Sequence, residues 1–155
     1  MTRRRSASGS ATNHKENTMS STTEENKTVA RSFYEAYNGG DLQAAFDTYI
    51  SHDLVNHTNG GAMDRQLWMQ SDLAAKVAMP DQTMTILGQA ADGDKVFTHW
   101  VLQGTHTGGD FFGIPASGRA TRLEAVAVDV VRDGQIVEHN AVGDFSGFMA
   151  QLTGK

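Results

Sequence analysis

The chain has 155 residues, 39% of them apolar, which suits one domain built around one hydrophobic core. A formal charge of −5 leaves no basic face for phosphates and argues against a nucleic-acid partner. Cysteine is absent, which excludes disulfides, thiolate catalysis and cysteine-based zinc or iron–sulfur sites. Apolar runs are only a few residues long, too short to span a bilayer.

The opening stretch, MTRRRSASGSATNHKENTMSSTT, is polar and offers almost nothing to bury, so residues 1–23 are expected to be a disordered tail and residues 24–155 the domain. Arg3, Arg4 and Arg5 are not followed by the apolar region of an export signal, and Met19 reads as an alternative start; a cytoplasmic protein is expected.

Thr22-Thr23-Glu24-Glu25 has the pattern of a capping box. Val29, Phe33 and Tyr37 then form one apolar stripe, with Ala30 and Tyr34 beside it, so an amphipathic helix is predicted up to Gly39-Gly40. Asp41 should cap a short helix burying Leu42, Ala45, Phe46 and Tyr49. A third helix is predicted over Asp64 to Met79, with Leu67, Trp68, Leu73 and Val77 as its apolar residues and Pro80 as its stop.

From Thr83 the apolar period becomes that of strands. Asp92-Gly93 signals a type I′ turn, and Lys95 to Thr105 reads as a long strand. Beyond a glycine-rich loop, Arg122 to Arg132 and Gln135 to Val142 should pair across a second turn at Asp133-Gly134. Asp144 can cap a last short helix, FSGFMAQL. Helices first and an antiparallel meander second define an α+β fold. Three helices against one face of a curved sheet make a cone whose interior suits a small apolar ligand.

The six histidines (His14, His52, His57, His99, His106 and His139) show neither the i,i+4 spacing of a zinc protease nor an H-x-H strand pair, so no metal site is predicted. The glycines fit no phosphate-binding loop, and G-x-S-x-G is absent.

The stretch GTHTGGDFFGIPASGR (Gly104 to Arg119), followed by VRDGQIVEHNAVGD (Val131 to Asp144), resembles the SnoaL-like polyketide cyclase family, which has the nuclear transport factor 2 fold. SFYEAYNGGD at Ser32 to Asp41 looks like its first helix, and LVNH at Leu54 to His57 like its recurring histidine. The resemblance covers about residues 25–153 and implies a homodimer and a cofactor-free enzyme of secondary metabolism, such as antibiotic biosynthesis. That enzyme would act on a small apolar or aromatic polyketide-like ligand by acid–base cyclisation or isomerisation. In the family's aldol cyclases an Asp two residues after the EH histidine works with a His on the preceding strand. Counted from Asp133-Gly134, those positions hold Ala141 and Ala127, and the usual Trp after the histidine is Asn140. These departures keep two further readings open: hydroxylation or epoxide opening, and a ligand-binding module without catalysis.

Enolisation needs a base beside an acidic C–H and a donor for the developing oxyanion. Strand alternation puts His139 on one face with Val137 and Ala141, so His139 is the leading acid–base candidate, against a purely structural hydrogen-bonded histidine. Asp144 is its candidate partner or simply a helix N-cap. Asp129, on the face of Ala127, either replaces the lost base or sits at an exposed strand end near Arg132. Tyr37 and His57 are candidates for holding substrate oxygens, and Trp100 for a flat pocket wall; each has simple packing as its alternative. His106 and Arg119 are read as anchors of the glycine-rich loop first and as lid contacts second.

Overall fold

The computed structural model describes residues 12–155. The element order is α1 (Thr12–Glu35), α2 (Leu42–Tyr49), β1 (Ile50–Asn56), a 3-10 turn (Thr58–Gly61), α3 (Arg65–Ala78), β2 (Thr83–Asp92), β3 (Lys95–Thr105), β4 (Ala120–Arg132), β5 (Gln135–Gly143) and α4 (Phe145–Thr153). The five strands form one sheet in the order β1-β5-β4-β3-β2. Only the β1–β5 pair is parallel. The expected α+β architecture is present: a curved, unclosed sheet with helices against its inner face.

Arg3, Arg4 and Arg5 lie outside the described residues, as does the expected tail as far as residue 11. From Thr12 onward the backbone is helical, so the Thr22–Glu25 pattern lies inside α1 and does not start it. No Pro or Gly occurs between Thr12 and Glu35 to break the helix earlier. Its core stripe is Ala30, Phe33 and Tyr34, and Tyr37 is buried in the turn that follows.

Asp41 caps α2 through its side chain to the amide of Ala44, and Asp64 caps α3 through the amide of Leu67. In α3 the buried residues are Trp68, Ala75 and Ala78. Leu67 and Val77 are exposed. A three- to four-residue spacing from Trp68 selects the small alanines for the close helix–sheet contact and turns those two larger side chains outward.

β1 has no counterpart in the sequence reading. Its segment, ISHDLVN, lacks alternation because it is an edge strand pairing only with β5. The Asp133-Gly134 turn is as predicted: both residues have positive φ, 51° and 76°, the type I′ signature. At the first hairpin Asp92 pairs with Lys95, so the turn residues are Gly93 and Asp94, one place later than expected. Only Gly93 has positive φ there. Register shifts between Ile86 and Gly88, and between Val130 and Val131, bend the sheet around its helices.

Phe33 is the centre of the aromatic core. Its ring meets Tyr34, Tyr37, Phe46 and Trp68 edge-on at centroid distances of 5.1, 5.9, 5.1 and 5.4 Å, the geometry that aromatic quadrupoles favour. This cluster joins α1, α2 and α3 into one wall and fixes the position of Trp68, on which the site below depends.

Candidate active site

Between the helical wall and the inner face of the sheet lies a cavity of about 470 Å³. Its outer end is apolar, built from Leu102, Leu123, Phe111, Phe145, Phe148 and Met149, and its inner end carries Tyr34, Tyr37, Asp72 and His139.

Asp129 and His139 face each other directly across β4 and β5. Directly opposed residues share one face of a sheet and are close enough to interact. Here His139 Nδ1 donates to Asp129 Oδ1 at 2.7 Å, and the hydroxyl of Tyr34 donates to Asp129 Oδ2 at 2.8 Å. Asp129 is fully buried and His139 is 5% exposed; its ring lines the cavity. No hydrogen bond reaches His139 Nε2 among the described residues, so this nitrogen is available to a ligand. Trp68 stacks on the imidazole at 4.1 Å between centroids and 14° between planes, which fixes the plane of the ring.

In the turn after α1, the hydroxyl of Tyr37 donates to Asp72 Oδ2. Asp72 lies one turn beyond Trp68 on α3, and Trp68 also hydrogen-bonds to it. Two tyrosines three residues apart thus serve two different carboxylates. Burial, followed by the neighbouring carboxylate, raises both phenols well above their usual range; they stay neutral and act as donors. Burial raises Asp72 to about 6, while the bond from Tyr37, the charge of His139 and the bond from Trp68 pull the other way. Desolvation, the largest of these effects, prevails.

Of the residues singled out from sequence, the structure brings His139, Asp129, Tyr37 and Trp100 to this region. Trp100 is a cavity wall, and its indole N–H is buried without a partner among the described residues. Asp129 sits inside, not at an exposed strand end, because β4 keeps its odd-numbered residues on the inner face from Thr121 to Asp129. Asp144 is not a partner of His139. It is exposed, and its Oδ1 accepts from the amide of Gly147 at 2.8 Å, which makes it the N-cap of α4. His57 does not line the cavity either: its ring is half-exposed and pairs with Glu138 at 3.0 Å, while its backbone amide donates to the carbonyl of His139 at 2.7 Å. The 3-10 turn after Asn56 carries the His57 side chain outward.

Ala127 and Ala141 are directly paired, one inward-facing rung from Asp129 and His139. Ala141 lines the cavity and Ala127 is fully buried, so this rung provides space and the next one provides ionisable groups. His106 is the anchor expected of the loop: it is fully buried, with Nε2 bonded to the carbonyl of Gly109 at 2.6 Å and Nδ1 to Ser117 Oγ at 3.2 Å. The guanidinium of Arg119 packs over Gly154, where a side chain would collide with it.

Asp72 escaped the sequence reading. The available signal was an acidic residue four places after Trp68, on the buried stripe of α3, where a solvated charge would not be placed.

Among the described residues no three His, Cys, Asp or Glu side chains are grouped to hold a metal ion. None of the described helices is long and apolar enough to cross a membrane.

Among solved structures, IdmH of Streptomyces antibioticus, a candidate polyketide cyclase, is 33% identical, with a TM-score of 0.68 over 83% of this chain and 98% of its own. AclR of Streptomyces galilaeus, a candidate hydroxylase, is 22% identical with a TM-score of 0.76, over 86% of this chain and 83% of its own. A candidate SnoaL-like polyketide cyclase from Jannaschia sp. CCS1 is 18% identical with a TM-score of 0.74, over 86% of this chain and 94% of its own. The latter two likenesses establish the fold alone. No curated protein matches the chain. The SnoaL-like polyketide cyclase family matches residues 27–152, and the chain belongs to that family.

Proposed function

We propose that this protein is an enzyme of polyketide-type secondary metabolism that performs cofactor-free ring closure or isomerisation of a small, mostly apolar carbonyl compound. The observation that carries this reading is the placement of Asp72 and the Asp129-bound His139 on facing walls of one apolar cavity.

In this reading the Asp72 carboxylate removes a proton from carbon next to a carbonyl. The C–H electron pair becomes the new C=C bond, and the carbonyl π pair moves to oxygen, which takes the proton from His139 Nε2. Asp129 keeps Nδ1 protonated and the ring oriented, and Tyr34 orients Asp129 in turn. For ring closure, the enol carbon attacks a second carbonyl carbon. The new alkoxide takes the proton from Asp72, and the first carbonyl reforms by returning its proton to His139. For isomerisation of a β,γ-unsaturated substrate, Asp72 returns its proton to the far carbon of the dienol, the C=C bond shifts, and the carbonyl reforms as the enol oxygen gives its proton back to His139. Atoms balance in both cases, so substrate and product have equal mass. Burial of the ligand's apolar body at the outer end supplies binding energy and near-attack geometry.

The protein is further proposed to act in the cytoplasm as a homodimer. Phe97 and Val142, 38% and 64% exposed on the outer sheet face, support that pairing. The catalytic reading is tested by incubating wild-type protein and His139→Ala with extracts of the source organism's metabolites in heavy water. The expected product has the substrate's mass apart from deuterium gained at carbon, and His139→Ala forms it about 10²–10⁴-fold more slowly. A product that has gained oxygen, or full turnover by His139→Ala, would contradict the reading.

A further inference from the structure

The glycine-rich loop between β3 and β4 is tied down at its base. His106 and Arg119 pair through the backbone at 2.9 Å, and the amides of Thr107 and Gly108 donate to the carbonyl of Ala78 at the end of α3. Gly108 passes so close that any side chain there would strike the carbonyl of Val77. Near its tip the chain turns back on itself. Phe111 and Ile114 exchange two backbone hydrogen bonds of 2.9 Å, and the residues between them, Phe112 and Gly113, have φ of 49° and 78°. This is the pattern of a type I′ turn, whose first central position favours Asn, Asp or Gly.

A phenylalanine at that position disagrees with its backbone. A β-carbon carrying a bulky ring is disfavoured in the left-handed region. Phe112 is also 63% exposed, so it gains little from burial in return. Phe111 beneath it is buried and packs edge-on against Phe112 at 4.6 Å and Phe148 of α4 at 6.5 Å, which seats the turn at the apolar end of the cavity. Phe112 is one of the residues lining that cavity. Strain retained at a ligand-facing position points to a role in binding more than in folding.

We propose that Phe112 is a specificity-determining rim contact, whose ring covers the apolar end of ligands long enough to reach from the polar end to the cavity mouth. It selects for a planar or extended apolar body and leaves short carbonyl compounds unaffected. The inference rests on the cavity being the ligand site, as proposed above, and is independent of which proton is moved.

The test uses prodan, a neutral fluorescent naphthalene ketone, as the long probe and acetophenone as the short one. Phe112→Asn places a residue suited to the turn at this position. It should raise Tm by about 2–4 °C, weaken prodan binding by about 5–20-fold and leave acetophenone binding unchanged. Phe112→Tyr, which keeps the ring, should retain prodan affinity. Equal prodan binding by wild type and Phe112→Asn would overturn the rim contact while leaving the acid–base reading intact. A fall in Tm on Phe112→Asn would also overturn it, by showing that the ring serves the fold. Failure of the wild type to take up prodan would overturn both the rim contact and the cavity as the ligand site.

Discussion

Replacing Asp72 by asparagine should lower turnover by about 10²–10⁴-fold and at the same time make the fold more stable at pH 8. Asparagine keeps the size of the side chain and can still accept from Tyr37, but it cannot take a proton from carbon. The stability gain follows from the raised value of Asp72, about 6 against an ordinary 3.8. Between these pH values the folded protein holds a proton that the unfolded chain has released. The contribution of Asp72 to stability is therefore fully present below 3.8, is lost as pH rises through about 6, and stays lost above that. The full shift sets an upper bound of about 3 kcal/mol, and contact with the cavity reduces it, so about 1–2 kcal/mol is expected. Wild type and Asp72→Asn should differ by that amount in urea denaturation at pH 8 and converge toward pH 4. Activity has the opposite sign, since the base must be ionised: wild-type turnover should rise with pH through about 6.

Phe33→Ala should be the most damaging core substitution, costing about 3–5 kcal/mol and lowering Tm by about 8–16 °C. The ring is fully buried and is the shared partner of Tyr34, Tyr37, Phe46 and Trp68. Thermal denaturation checks the first effect. The second is chemical: both tyrosines hold the site's carboxylates, and Trp68 fixes the plane of His139. Activity should therefore fall even at temperatures where the variant remains folded.

The meander was legible because its signals are local. Alternation over β3 and β4 and the Asp133-Gly134 turn depend on nearest neighbours, and the caps at Asp41 and Asp144 on the next three residues. β1 was hidden because an edge strand buries so little that its pattern is irregular. Face alternation pointed His139 inward but left Asp129 open between the interior and an exposed strand end, and their direct pairing depends on the cross-strand register, which only the assembled sheet fixes. Asp144 and His57 show the converse: residues of suitable chemistry near the right place in sequence, one used as a cap and the other turned outward to Glu138. Asp72 was missed because its significance arises from Tyr37, 35 positions earlier, a contact that no local pattern encodes.

In the proposed reaction Asp72 and His139 together move a proton at carbon inside this cavity. The most direct test is exchange of the α-hydrogens of 2-tetralone in heavy water, followed by proton NMR. The wild type is expected to accelerate exchange over buffer, increasingly as pH rises through about 6, and both His139→Ala and Asp72→Asn should lose that acceleration. Exchange at the buffer rate with wild type, or undiminished exchange with both variants, would contradict it.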